Sequence, residues 1–210
     1  MIWPMQRTKR KLVRELAYRE QAMRPTGALG RIMGEIMAAT NRPRNRWLLK
    51  QLDLVPELTG LEFGFGNGEI LADFLRQCVG GRALGVDWSQ SMIDLGARRN
   101  KGAVADGRLR LQLGDITDAT TLIEGSFDRI WCSNVIQMIE DRPALFGRLR
   151  ANLTPNGLLA ICFQPRGGAP PAATLAPLCE QELTDAGFTS VQALWLPNAT
   201  TPAFCIVAKL

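Results

Sequence analysis

Two kinds of apolar spacing alternate along most of this chain. Short, nearly continuous apolar runs at 58–63, 82–87, 108–113, 127–133 and 157–163 have the pattern of strands buried on both faces. Between and after them, apolar residues recur three and four apart over 68–79, 89–100, 141–152 and 174–186, as on one face of a helix, and a short helix is expected near 118–123. Strand and helix in alternation predict an α/β fold with a mostly parallel sheet covered by helices on both faces. Two last runs, 188–196 and 202–209, are joined through Pro197-Asn198-Ala199-Thr200-Thr201-Pro202. That connection is too short for a crossover, so the two strands should be antiparallel neighbours.

The first 50 residues differ. Leu12, Val13, Leu16 and Ala17 share one side of a helix that ends near Tyr18, the single tyrosine, and Pro25 and Gly27 then break the chain. Leu29, Ile32, Met33, Ile36 and Met37 form one stripe on a second helix, 28–39. Asn41 to Arg46, with Pro43, reads as a polar, basic turn, and a third helix over about 44–53 carries Trp47, Leu48 and Leu52, with Pro56 closing it. We therefore expect a helical cap over 1–50, lying across the strand ends, and a main domain over 51–210. Charge follows the same division: residues 1–50 are net +9, the remainder is net −4, and the total is +5. A basic extension suits an acidic substrate, RNA or a membrane surface, or is simply a solvated helical face.

Composition removes several chemistries. No apolar stretch approaches the ~20 residues of a bilayer span, and no signal-peptide pattern is present, so a cytoplasmic location is expected. The five cysteines are scattered through apolar segments without metal-site spacing, and read as reduced core residues. No metal site is expected. There is no histidine, which excludes imidazole as base or ligand.

The candidate chemistry starts at Leu61-Glu62-Phe63-Gly64-Phe65-Gly66-Asn67-Gly68, a strand, a glycine loop and the start of a helix. Such a loop lets a ligand lie against bare backbone, next to the free N–H groups of a helix N-terminus. A dinucleotide fingerprint would need glycine at position 69, which is Glu69, and no G-x-x-x-x-G-K-[ST] phosphate loop occurs. The acid at 62 would repel a pyrophosphate, but it would welcome an ammonium. A tight strand-to-helix turn that binds nothing is the alternative. The second strand ends in Asp87, where a carboxylate can accept both hydroxyls of a ribose, and Trp88 or Met92 could cover a base. Ser89 can also serve as the N-cap of the following helix. The third strand ends in Gly114-Asp115-Ile116, and Asp115 is either a ligand acid or an Asx-type turn residue.

Glu-x-Gly-x-Gly-x-Gly at 62–68 together with Gly-Val-Asp-Trp-Ser-Gln-Ser-Met at 85–92 resembles the first two motifs of the class I S-adenosylmethionine-dependent methyltransferases, in their small-molecule, type 11-like form. Leu149 to Gly157 is similar to the family's helix and P-x-G turn before the fifth strand. The resemblance implies a Rossmann-like, seven-stranded, mostly parallel sheet with an antiparallel last strand, and S-adenosyl-L-methionine as cofactor, leaving S-adenosyl-L-homocysteine. It implies cofactor contacts from Glu62, Gly64, Phe65, Gly66, Gly68, Asp87, Trp88 and Met92. Asp115 would receive the adenine amino group, Ile116 would pack on the ring and offer its N–H, and Asn134 would shape the pocket. Gln137 would orient substrate; Arg166, after the fifth strand, could reach an anionic substrate group, although a simply exposed arginine is the favoured reading. Ser133-Asn134-Val135-Ile136 departs from the N-P-P-[YFW] sequence of nucleobase and glutamine N-methylation, which weighs against nucleic acid.

No catalytic base is assigned; Tyr18 and Gln137 are the weak catalytic candidates. The leading expectation is methyl transfer to a small-molecule acceptor. The alternatives are a protein, peptide or RNA acceptor held by the basic extension, or a non-enzymatic cofactor-binding partner protein.

Overall fold

Strand β1, Thr59–Phe63, is buried over its last four residues and lies at the centre of a seven-stranded sheet. The computed structural model describes residues 41–121, 123–166 and 168–210. The other strands are β2 (Arg82–Asp87), β3 (Leu109–Leu113), β4 (Phe127–Ser133), β5 (Leu153–Phe163), β6 (Ser190–Trp195) and β7 (Phe204–Lys209). Across the sheet they run in the order β3-β2-β1-β4-β5-β7-β6. The pairs among β1 to β5 are parallel, and β7 inserts antiparallel between β5 and β6. Strand order reverses between β1 and β4, and in such sheets the crevice beyond the C-terminal strand ends at that point is where ligands bind.

Helices cover both faces. On one lie α1 (41–51), α2 (Glu69–Gln77) and α3 (Gln90–Arg99), packed through Leu48, Leu52, Phe74 and Met92 against Trp131, Ala160 and Cys162. Phe74 and Trp131 meet with ring centroids 4.8 Å apart. On the other face α5 (Arg142–Ala151) and α6 (Ala172–Asp185) bring Phe146, Leu149 and Leu183 onto Ile130, Ile161 and Phe163. A bidentate ion pair from Arg142 to Glu182, 2.7 and 2.8 Å, joins these two helices. No helix among the described residues is long and apolar enough to cross a membrane.

Several expected elements differ in extent. Residues 41–46 are helical, part of α1, where a polar turn was expected. Three of their polar side chains do not face water: Asn41, Arg44 and Asn45 are buried with Leu48 and Leu52 on the inner side of the helix, while Arg42 and Arg46 are exposed. The short helix near 118–123 is absent from 116–121, which form successive turns. There the Asp115 carboxylate takes the Thr117 N–H at 2.8 Å and Asp118 takes that of Thr120 at 2.8 Å, so side chains supply the acceptors a helix would have used. A one-turn helix α4, Lys101–Ala105, continues beyond α3, and β5 starts at Leu153 rather than 157. The two helices expected over 1–39 lie outside the described residues.

Arg129 ties α1 to the sheet. From the N-terminal half of β4 its buried guanidinium donates to the carbonyls of Leu52, Asp53 and Asp128, closing the C-terminal end of α1 with a cation. Replacing it by Met strands these carbonyls, and hydrogen bonds to a charged donor each contribute about 1.5–3 kcal/mol. Arg129→Met should therefore lower the Tm by several degrees in thermal unfolding, with secondary structure unchanged at low temperature.

Candidate functional site

At the end of β1 the chain turns through three left-handed glycines, Gly64 (φ 63°), Gly66 (φ 59°) and Gly68 (φ 73°), before α2 starts at Glu69. A side chain at Gly64 would lie 2.3 Å from Val135, so that turn also depends on close approach to the segment after β4. At Gly66 a Cβ would meet nothing within 4 Å: only its φ requires glycine there, and the space in front of the backbone is open. The loop is held from behind. Asn100, buried at the end of α3, donates through Nδ2 to the carbonyls of Gly68 (3.1 Å) and Gly96 (3.0 Å), and Arg99 donates to that of Asn67 at 3.1 Å.

Asp87, the last residue of β2, faces this loop. Its Oδ2 accepts the Gly66 N–H and its Oδ1 the Ser89 N–H, both at 2.9 Å. Burial pushes the carboxyl up to about 6, against the pull of the backbone N–H groups of Ser89, Gly66 and Trp88. A carboxylate has about four lone-pair sites, so acceptor capacity remains beyond these backbone contacts.

A cleft of about 460 Å³ opens beside these groups, a volume suited to a small-molecule cofactor. The structure brings Gly64, Asp87, Trp88, Asp115 and Ile116 together on its wall. Asp115 is at once the turn residue and a cleft residue: its Oδ1 is committed to the Thr117 backbone and hydroxyl, while the side chain lines the cavity. Val86, Val135, Met138 and Ile139 give apolar wall, and Glu140 and Asp141 stand at the exposed end. Among the described residues, every charged group on the wall is a carboxylate, which disfavours a phosphate and suits a cationic ligand.

Other predicted site residues stand off the wall. Glu62 is 1% exposed beneath the glycine loop, its Oε2 has no hydrogen-bond partner, and burial holds its carboxyl well above the usual range. The Trp131 indole N–H opposes that rise without completing a hydrogen bond. Phe65 and Met92 are core residues: Phe65 packs over Gly85 and Gly96, and Met92 is 2% exposed among the side chains of α2 and α1. Met92 therefore does not reach the place where a base would stack, because the first turn of α3 points it into the sheet-facing core. Gly66 and Gly68 shape the loop without belonging to the cleft wall. Asn134, itself left-handed at φ 59°, bridges strand ends: its N–H donates to Cys162 at 2.9 Å and its Oδ1 accepts from Gln164 N–H at 2.8 Å. Gln137 donates to the Asn134 carbonyl at 2.8 Å, and its Oε1 is buried without a partner. Tyr18 lies outside the described residues.

Several contributors escaped sequence reasoning. Asn100 resembles any helix-terminal asparagine, and nothing local announces its bond to a loop 32 residues away. Arg148 on α5 donates to the carbonyls of Ile116 (2.9 Å), Asp118 (2.8 Å) and Thr121, fastening the segment that carries Asp115 and Ile116. Asp141 could have been found, since an acid two residues before Pro143 is an N-cap signal, and it does accept the Ala144 N–H at 3.0 Å.

Comparison with known proteins agrees with this architecture. Residues 61–161 match the model of the family described as methyltransferase domain. The chain is 32% identical over 135 residues, 64% of its length, to "Uncharacterized methyltransferase YdaC" of Bacillus subtilis, 72% of which is covered. It is 32% identical over 101 residues to trans-aconitate 2-methyltransferase of Deinococcus radiodurans, spanning 48% of this chain and 36% of that protein. Its fold matches that of an S-adenosylmethionine-dependent methyltransferase from Aquifex aeolicus with a TM-score of 0.69 at 16% identity, covering 85% of this chain and 97% of that one. The acid-lined cleft, the open backbone at Gly66 and the unpartnered Glu62 oxygen fit a ligand that carries a sulfonium, an ammonium and a ribose but no phosphate. This chain belongs to the class I S-adenosylmethionine-dependent methyltransferases, with S-adenosylmethionine as its cofactor.

Proposed function

We propose that the protein transfers the cofactor's methyl group to a small-molecule acceptor. The observation that carries this reading is the left-handed glycine loop pinned by Asp87 beside a cleft whose charged groups, among the described residues, are all carboxylates. The sulfonium supplies an already activated methyl, which the acceptor's lone pair takes in line as the carbon–sulfur bond breaks and its electrons return to sulfur. What the chain adds is position: holding nucleophile and methyl ~3 Å apart and aligned accounts for several kcal/mol of barrier.

Roles follow from placement. Asp87 takes the ribose hydroxyls with its remaining acceptor capacity, Trp88 and Ile116 sandwich the adenine, and Asp115 receives its amino group. Glu62 beneath the loop is the counter-charge for the ammonium, and Gly64, Gly66 and Gly68 let the ligand's amino-acid part lie on backbone. Phe65 and Met92 support these groups from the core. Asn134 holds the β4 and β5 ends in register, and Gln137 offers its unpartnered Oε1 to a donor group on the substrate. The relative from Deinococcus is named for a small acceptor, trans-aconitate, which supports the same class here. Acceptor choice falls to residues 1–50 and the segments after β4 and β5. The net charge of +9 on residues 1–50 favours, as a second reading, a protein, peptide or RNA acceptor.

Asp87→Asn should weaken both S-adenosylmethionine and S-adenosylhomocysteine by about 10- to 100-fold in calorimetry, since hydrogen bonds to a charged acceptor contribute about 1.5–3 kcal/mol each. Unchanged affinity would remove the ribose assignment.

Because the ribose donates to the anion, binding favours ionised Asp87, and affinity must fall as pH drops through its free-state value near 6. Titration with S-adenosylhomocysteine should show about tenfold weaker binding at pH 5 than at pH 7.5. Glu62, also raised by burial, acts in the same direction. A flat profile between those two pH values counts against the anionic contact.

Deleting residues 1–22 should leave cofactor affinity intact and relax or abolish acceptor use, read as transfer of a radiolabelled methyl to a panel of small molecules and to RNA. Loss of cofactor binding in a folded truncated chain would move that segment into the cofactor site.

A further inference from the structure

The inner side of α1 carries Asn41, Arg44, Asn45, Leu48 and Leu52, and its two halves meet different parts of the sheet. Leu48 and Leu52 pack into the core, and the Leu52 carbonyl reaches Arg129 near the start of β4. Asn45 accepts from the Ser133 hydroxyl at 3.1 Å, at the far end of β4, and Asn41 accepts from Arg166, three residues past the end of β5. Helix α1 thus runs antiparallel to the strands and brings Arg44 to the C-terminal edge of β4 and β5. This is the edge that Asn134 and Val135 share with Gly64.

Arg44 is 2% exposed, and its only hydrogen bond among the described residues is a long one, 3.3 Å from Nη2 to Asn45 Oδ1. Nε and Nη1 are buried without partners, although a guanidinium offers five donors in a planar fork. Burial pushes its pKa down to about 10, and the neighbouring Arg166 adds to the fall. Among the described residues no carboxylate accepts a hydrogen bond from it. A buried cation left in this state is costly unless another charge completes it, and removing such a cost is how a site gains affinity for an anion.

Resting on the methyltransferase reading, we propose that Arg44, with Arg166 at the exposed rim, forms an oxyanion subsite for the methyl acceptor, so that the acceptor carries a carboxylate or a phosphate. Nε and Nη2 of Arg44 share one edge of the guanidinium fork, and an oxyanion on that edge would take the unpartnered Nε donor together with Nη2, whose bond to Asn45 is long. Asn41 and Asn45 orient the pair from α1. The anion is an anchor: it fixes the acceptor at the β4 and β5 ends, beside the cofactor cleft, and is not itself required to be the nucleophile.

The test uses the full chain saturated with S-adenosylhomocysteine, with Tm and calorimetry as readouts. The probes are succinate, trans-aconitate, citrate, phosphoglycolate and inorganic phosphate, with succinamide as the neutral counterpart of succinate. At least one anion should raise the Tm of the wild type where succinamide does not, and whether carboxylates or phosphates respond separates the two sources. Arg44→Met should raise the Tm of the protein without anion, because an uncompensated buried charge is gone. It should leave S-adenosylhomocysteine affinity within about twofold and weaken the responding anion at least tenfold. Arg44→Lys should recover part of that response, and Arg166→Gln should weaken it less than Arg44→Met does. If no anion in the panel responds, or if Arg44→Met binds the anion as the wild type does, the subsite is refuted. A lowered Tm in Arg44→Met with unchanged anion response assigns Arg44 to packing alone. Failure of S-adenosylhomocysteine to bind the wild type would instead refute the function on which the subsite rests.

Discussion

The hydrogen bond from the Gly66 N–H to Asp87 Oδ2 joins the two strand ends on which the rest of the site depends. A loop with three left-handed residues in five has little reason to hold one shape, since glycine gives up more conformational entropy than any other residue on being ordered. Asp87 supplies the reason from the front, and Asn100 and Arg99 supply it from behind. The carboxylate is anionic at neutral pH although burial raises it, so the loop is held by a charge that a ligand also uses. Loop geometry and ligand recognition are therefore one interaction counted twice. That is why β2 ends in an acid and not in an asparagine or serine that would also accept an N–H.

Buried polar atoms without partners are rare in folded proteins, and each one requires a physical account. Three of those in this chain fall on the same edge of the sheet: Glu62 Oε2, Gln137 Oε1 and the Arg44 guanidinium. Each belongs to the residue set around the β1, β4 and β5 ends, and each has the chemical character of the group it would complete. Glu62 suits a cation, Gln137 Oε1 a donor, and Arg44 an oxyanion. Stability given up at that edge without ligands becomes affinity once they arrive, and the two well-filled cores on either side of the sheet supply the margin.

Where one periodicity dominated, the fold was legible in the residues. β2 and β4 have the bounds their apolar runs suggested, each built on an unbroken apolar stretch, Ala83 to Val86 and Ile130 to Cys132. The glycine loop and the acids after β1, β2 and β3 were visible for the same reason: each is a polar or glycine residue at the end of such a run. The start of α1 was not legible, because Asn41, Arg44 and Asn45 around Pro43 have the composition of a solvated turn and only the tertiary fold shows them buried. The burial of Met92 in the core was not legible either, because its place in the motif string says nothing of which side of α3 it occupies. Asn100 and Arg148 were invisible since their partners are backbone carbonyls 27 to 32 residues distant, and a carbonyl has no sequence signature.

On the proposed assignment the charges of the site are sorted by ligand. Carboxylates line the cleft, and the guanidinium groups of Arg44 and Arg166 stand at the β4 and β5 ends, where the proposed subsite would hold the acceptor. A cofactor with a sulfonium and an ammonium and an acceptor with an oxyanion would attract each other in any arrangement that brought their charges together. In a water-poor site, that attraction would compete with the single geometry in which transfer occurs. Giving each ligand its own protein counter-charge removes the competition. The nucleophile can then be aligned with the methyl by short-range contacts from Val135, Asn134 and Gln137. The same sorting acts after transfer, when sulfur has lost its positive charge. On the proposed assignment the acids around the cleft would then hold the product less tightly than the cofactor, while an acceptor's anchor on Arg44 would be unaltered, which would separate cofactor exchange from release of the methylated acceptor.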